Sequence, residues 1–502
     1  MLELSQTTST NEGETAMEIT SRLTDKLEPV SPQEAATLVP DTATVAVSGF
    51  GSVGYPKAVP VSLAGSGREL ALTILSAGSV GDEIDTELIE AGAIERRLPY
   101  QSRAASREAA NARVIAFQDR HISRLGDDVL LGNVPSPDIA VVEAIAAGSD
   151  WFIPSMSLGQ TQTFVEAAES LIIEVNHAQP LELQRFHDVS RVGPPPRSQP
   201  IELTHPGQRL GTPRVTFNSD TLVAVVETDR KDQAYEFRTP TAADTAVADN
   251  LVQFLRAEMD TNPALADSMC LQFGVGSLGN ALVGAFEDTN FQGRDLLYYG
   301  EVIQDGLLDL LDAGTLEVAS ATSLALSTDG TRQLFENPER YADRIILRPA
   351  SLSNRGSLID RFGVVAVNSA LEVDLYGHVN STHIGGTQIR NGIGGSGDFT
   401  RNGMLSIIAL PSTTQNGDIS RIVPKVPHVD HTEHDVDVVV TEHGVADIRP
   451  LSPVEVAETL IDNCADPDYR DALQRYLDAA RTESGHEPHL PSLVQSWPDD
   501  EI

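Results

Sequence analysis

Short apolar runs that end in glycine or another small residue alternate along the chain with stretches whose apolar positions recur every three or four residues. That alternation predicts an α/β fold. The near-continuous apolar segments 44–48, 222–227, 343–347, 364–368 and 436–441 read as strands of mainly parallel sheets, covered on both faces. After Glu301, the residues Ile303, Leu307, Leu310 and Leu311 fall at i, i+4, i+7 and i+8 and predict a helix stopped by Gly314. Ser452-Pro453-Val454-Glu455 supplies an N-cap, a proline at the first helical position and a reciprocal glutamate, so a helix starts there.

A chain of 502 residues exceeds one ordinary core and suggests two or three domains. The charged break Thr228-Asp229-Arg230-Lys231-Asp232-Gln233 separates a strand from the next helical pattern. It places an N-terminal domain at 17–236 and a C-terminal one at 237–502, after a disordered tail at 1–16. Pro194-Pro195-Pro196 and further breakers make 192–214 an extended excursion on the surface. No tandem repeat stands out.

Charge changes the picture of the solvent, not of the fold. Acids outnumber bases 73 to 35, for a net charge of −38, and only Lys26, Lys57, Lys231 and Lys425 are lysines. Apolar periodicity continues between the acids, so the chain folds; the surface fits a high-salt cytoplasm that screens self-repulsion. Nucleic acid is an unsuitable partner because phosphate contacts need clustered bases. No segment has the roughly 18 uninterrupted apolar residues of a membrane helix, and the N-terminus lacks the pattern of a secretory signal. Cys270 and Cys464 are far apart, without metal spacing, and read as small buried hydrophobes of a reduced, cytoplasmic protein.

Four segments could carry chemistry. Gly49-Phe50-Gly51-Ser52-Val53-Gly54-Tyr55-Pro56-Lys57 follows a strand, where open α/β sheets bind ligands, although a tight structural turn explains it equally well. Gly274-Val275-Gly276-Ser277-Leu278-Gly279 joins a strand to a helix, where backbone N–H groups can hold an oxyanion. Its Gly-x-Gly-x-x-Gly spacing invites a dinucleotide reading, but no ribose-binding acid stands at the expected place. Tyr299-Gly300-Glu301-Val302-Ile303-Gln304-Asp305 puts a carboxylate at a helix mouth, ordinarily a solvated first-turn position. Gly392-Ile393-Gly394-Gly395-Ser396-Gly397 is either a flexible loop or a cradle of exposed amides. His428, His431 and His434 have a spacing that could gather a metal on a helix, but Pro427 and the strand after them favour a loop, and no metal is expected.

These segments, with Gly54-Tyr55-Pro56-Lys57, Ile173-Glu174-Val175-Asn176, Asn368-Ser369-Ala370-Leu371-Glu372 and Thr441-Glu442-His443-Gly444, give the chain a resemblance to the acetyl-CoA hydrolase/transferase family of class I CoA-transferases. The likeness is close to full length and is nearest the succinyl-CoA:acetate CoA-transferase and acetyl-CoA hydrolase branch. It implies two CoA-transferase-like α/β domains, the second carrying a catalytic glutamate at Glu301. Oxyanion amides are implied at Val275 and Gly395, and an active-site asparagine at Asn354. Gly274, Gly276, Gly394, Gly54 and Lys57 become candidates for the coenzyme A loops. Acyl-CoA and short-chain carboxylates (acetate, succinate, propionate) are the implied partners; there is no resident cofactor, and a homodimer is expected. Transfer between acids is the first reading, hydrolysis by the same glutamate the alternative, and a non-catalytic CoA-ester sensor the rival from another class. Gly300 departs from relatives that often have Thr or Ser before the glutamate.

Overall fold

A computed structural model of the protein describes residues 19, 21–196, 198–236, 238–274, 276–288 and 294–491. The predicted tail at 1–16 and Val275 lie outside the described residues. The architecture is α/β, with two mainly parallel sheets flanked by helices. The first runs in the order Ala116–Phe117, Ile94–Leu98, Leu72–Ser76, Thr44–Val47, Ile139–Ala147, Ser170–Asn176 and Leu222–Thr228, all parallel. Antiparallel Trp151–Pro154 pairs with the far end of Ile139–Ala147. The second sheet runs Ile345–Leu347, Leu316–Ala321, Asp295–Tyr299, Ser268–Phe273, Val364–Asn368, Leu405–Ala409 and Val438–Thr441, all parallel, then antiparallel Gly444–Asp447.

All five predicted strands form, with ends moved by up to two residues. The helix predicted after Glu301 forms as Asp305–Ala313 and stops at left-handed Gly314, but Ile303 belongs to a separate two-residue strand, Val302–Ile303. That strand pairs with Ser323–Leu324 because the backbone turns away from the main sheet directly after Tyr299. The capping box of Ser452 and Glu455 is present.

In each sheet the strand order reverses next to the first strand. The switch lies between Thr44–Val47 and Ile139–Ala147 in the first sheet, and between Ser268–Phe273 and Val364–Asn368 in the second. Crevices open beyond the carboxyl ends of strands at such switch points. The halves are stitched together by backbone bonds, Leu158 N–H to Thr322 O (2.8 Å), Leu324 N–H to Met156 O (2.9 Å) and Ala350 N–H to Gly159 O (2.8 Å). The segment 192–214 is largely irregular, as expected, but it is not a free excursion. Leu203 and Val192 are buried with Tyr299 and Ile346 of the second half, and Arg348, itself buried, donates to the carbonyls of Pro206 and Gln208 and pairs with Asp188.

Candidate active site

Glu301 sits at the bend that ends Asp295–Tyr299, the strand beside the second switch point. The bend is fixed on both sides: Gly300 N–H donates to Ser320 O (2.9 Å) and Thr322 N–H to Glu301 O (3.0 Å). The Tyr298 hydroxyl, turned back over the bend, donates to Val302 O at 3.0 Å. A Cβ on residue 300 would overlap the Tyr298 ring and hydroxyl. Glycine at 300, the departure noted from the sequence, is therefore the partner of Tyr298.

Glu301 as a residue is half-buried, and its carboxyl group points into the protein. Asn354, fully buried, donates from Nδ2 to Glu301 Oε1 at 2.7 Å, and among the described residues nothing donates to Oε2. Burial raises the carboxyl to about 7; the Asn354 hydrogen bond opposes the rise and the nearby Asp398 charge adds to it. Gly395 lies against the same group, since a Cβ there would overlap Glu301 Oε1 and Asn354 Nδ2. Its N–H has no protein acceptor among the described residues. Glu301, Asn354 and Gly395, three residues named from the sequence, thus meet in one place.

Gly274 and Gly276 line a cavity of about 440 Å³ at the second switch point, with Phe273, Ser277, Arg238 and Arg421. Gly276 has φ +147°, a conformation favouring glycine. The buried Nε of Arg421 has no partner among the described residues, and burial lowers the guanidinium's pKa. Gly394, at φ +57°, packs on the Tyr100 ring, and Gly392 could bear no Cβ without striking it. Tyr100 has a strained φ of 47° and comes from the first half. Burial, then the charges of Tyr235 and Glu301, push its hydroxyl's pKa up. Nothing in the sequence marked it, because its loop has no glycine signature.

Gly54 and Lys57 are not brought to this site. Lys57 is fully buried, with Nζ 2.5 Å from Glu143 Oε2 and 2.8 Å from Asp232 Oδ1. Gly54 has φ +68° and packs on Ser157, with its N–H 3.3 Å from Asp232 Oδ1. Both complete the turn over the first switch point. His428, His431 and His434 do not converge. His428 stacks on His383 and pairs with Asp430, His431 is buried beside Ser396, and His434 is exposed beside Glu433. Glu372 and Glu442 accept hydrogen bonds from Asn380 and Ser412 and are held structurally.

Comparison with known proteins adds independent findings. Residues 16–227 match the acetyl-CoA hydrolase/transferase N-terminal domain and 330–477 the C-terminal domain; Glu301 falls between the two stretches. The chain is 41% identical over 474 residues to a succinyl-CoA:acetate CoA-transferase of Clostridium kluyveri, covering 93% of this chain and 88% of that one. It is 39% identical to a propanoyl-CoA:succinate CoA transferase of Escherichia coli (92% and 95% covered). An acetyl-CoA hydrolase of Neurospora crassa is 36% identical (92% and 91%). Among solved structures, RipA from Yersinia pestis shares the fold with a TM-score of 0.68 at 22% identity, over 92% of this chain and 97% of that one. A 4-hydroxybutyrate CoA-transferase of Porphyromonas gingivalis does so with 0.62 at 21% identity (91% and 97%).

Proposed function

The chain is an enzyme of the acetyl-CoA hydrolase/transferase family, and on that premise we propose that it moves coenzyme A between short-chain carboxylic acids through covalent intermediates on Glu301. The observation that carries this reading is a carboxylate held by one amide donor, with no donor to its second oxygen among the described residues and Gly395 packed against it.

In the first step a Glu301 oxygen attacks the thioester carbonyl. The C–S bond breaks, coenzyme A leaves as thiolate, and an acyl-glutamyl anhydride remains. The thiolate then attacks the glutamyl carbonyl, releasing the first acid as carboxylate and leaving a glutamyl-CoA thioester. A second acid reverses both steps and departs as its own CoA ester. Each attack puts negative charge on a carbonyl oxygen, and one well-placed donor is worth roughly 3 kcal/mol there. Gly395 N–H is the donor we assign, with Val275 as its expected companion. Asn354 keeps the nucleophile aimed. The cavity with Arg238 and Arg421 suits an anionic ligand, notable in a chain of only 35 basic residues. Acetate, succinate and propionate are the acids we assign, from the names of the relatives. The scheme needs no resident cofactor.

Hydrolysis is the second reading, favoured by the partial exposure of Glu301: water then captures the acyl group. Borohydride reduction after incubation with acyl-CoA, followed by peptide mass analysis, tests the shared step, with Glu301 the expected modified residue. Glu301→Ala should reduce exchange of labelled acetate into succinyl-CoA by on the order of 10³ or more. Retained exchange, or label elsewhere, sinks the proposal. Rates for acetyl-CoA with water, succinate or propionate as acceptor, in molar salt, separate transfer from hydrolysis. We expect a cytoplasmic homodimer adapted to that salt.

A further inference from the structure

We propose that Asp398, gripped by Ser123 from the first half of the chain, is a positioning residue that locks the Asn354 amide onto Glu301 and sets the pH range in which the nucleophile is ionised. The inference rests on the covalent role of Glu301 proposed above and concerns how that role is controlled.

Asn354 Nδ2 carries two N–H groups, and both are used on carboxylates: Glu301 Oε1 at 2.7 Å and Asp398 Oδ2 at 3.2 Å. Ser353 Oγ donates to Asn354 Oδ1 at 2.8 Å, which fixes the opposite end of the amide. Turning the amide over would set its oxygen against two carboxylates. Asp398 thus makes one orientation overwhelmingly preferred, the one that presents a donor to the nucleophile. Without that second carboxylate, only Ser353 and Glu301 itself would hold the amide among the described residues.

Asp398 is 5% exposed and needs anchoring of its own. Ser123 supplies it twice, from N–H to Oδ2 at 3.0 Å and from Oγ to Oδ1 at 2.6 Å. No Lys or Arg pairs with Asp398 among the described residues. Ser123 stands in the helix Ile122–Leu130 of the first half, 275 positions away in sequence. The site is therefore assembled only when the halves pack, and a contact from one half reaches the nucleophile of the other through two hydrogen-bonded side chains.

The charge of Asp398 also acts on Glu301 directly. It opposes ionisation of the nucleophile, while the amide it aims favours it. The other titratable groups facing the pair are Tyr100 and Tyr298 toward Glu301, and His121, with His431 beyond it, toward Asp398. Both tyrosines are pushed above their usual range by burial and stay neutral, so Asp398 is the nearby anion that matters.

The test is the pH profile of kcat/KM for Asp398→Asn and Ser123→Ala. Asparagine can still accept from Asn354 but carries no charge, so the acid limb should move down by roughly one pH unit. Ser123→Ala weakens the anionic form of Asp398 and should move the limb the same way, by less; it decides the matter if Asp398→Asn does not fold. A rate lowered equally at every pH, with the limb unmoved in both variants, reduces Asp398 to structural support and overturns the inference. Borohydride trapping of the wild-type enzyme keeps the two claims apart. Trapping at Glu301 with an unmoved limb defeats only this inference, whereas no trapping defeats the covalent reading beneath it.

Discussion

The two switch points hold the same raw material and use it differently. Each has a glycine-rich turn and a glutamate whose carboxyl burial drives upward, Glu143 in the first half and Glu301 in the second. Glu143 is saturated: Lys57 Nζ, Ser155 Oγ at 2.6 Å and Asn176 Nδ2 at 2.8 Å all donate to it. Burial pulls the Lys57 ammonium down, but Asp232 and Glu143 more than reverse that. Glu174, meanwhile, accepts the N–H groups of Lys57, Ala58 and Val59 at the start of the following helix. The first crevice is plugged by its own charges. Among the described residues Glu301 has one donor and none on its second oxygen, and a cavity lies at the adjacent strand end. Saturation makes a buried carboxylate a brace; a missing set of partners leaves it able to take the proposed role of reagent.

Removing charges from each site should produce opposite defects, the largest in the first. Lys57→Met strands Glu143 and Asp232 without their cation, and breaking such a pair typically costs about 3–5 kcal/mol. Denaturant unfolding should show that loss, while the turnover per folded molecule, from active-site titration, stays near wild type. If Lys57→Met instead kept its stability and lost activity, Lys57 would belong to the reaction and the contrast would fail.

A smaller effect should follow at the glycine that shoulders the proposed nucleophile. Gly395 has an ordinary φ of −92°, so Gly395→Ala strains no backbone. Its added methyl would occupy the place of Glu301 Oε1. Displacement of a reacting atom by about 1 Å costs on the order of 10² in rate. The expected result is that fall in kcat with an unchanged unfolding midpoint. Equal loss of stability would mean that Gly395 is a packing position like Gly54.

Much of this contrast was legible in the residues, though not its allocation. Apolar runs located the strands because parallel strands are covered on both faces, and Ser452 and Glu455 announced their helix through local hydrogen bonds alone. Glu301, Asn354 and Gly395 came from the family resemblance, and the fold brings them together. The ion pairing of Lys57 was not legible, because a glycine turn over a strand end looks the same whether the crevice beneath is open or filled. What fills it, Glu143 and Asp232, lies 86 and 175 positions away from Lys57. Tyr100, Ser123 and Asp398 escaped for the same reason: their roles arise from packing between halves. Gly300, too, owes its place to a packing contact, the Tyr298 hydroxyl above it.

The smallest expected effect bears on what the open site costs the fold. A glutamate ionises near 4.5 when unfolded, but Glu301 does so only near about 7 in the fold. Between those values the native state holds a proton that the unfolded chain has released, so stability falls as pH rises through that window. The penalty is absent below it and complete above it, at most about 3 kcal/mol. Glu301→Gln carries no such charge and keeps an acceptor for Asn354. It should unfold like wild type at pH 4 and be the more stable protein at pH 8, in the same salt, while being inactive at both. Denaturant titrations at the two pH values check this. Equal stability at pH 8 would mean that Glu301 ionises as freely as in water, and that its site differs from the brace around Glu143 in partners only and not in the strain of holding a bare charge.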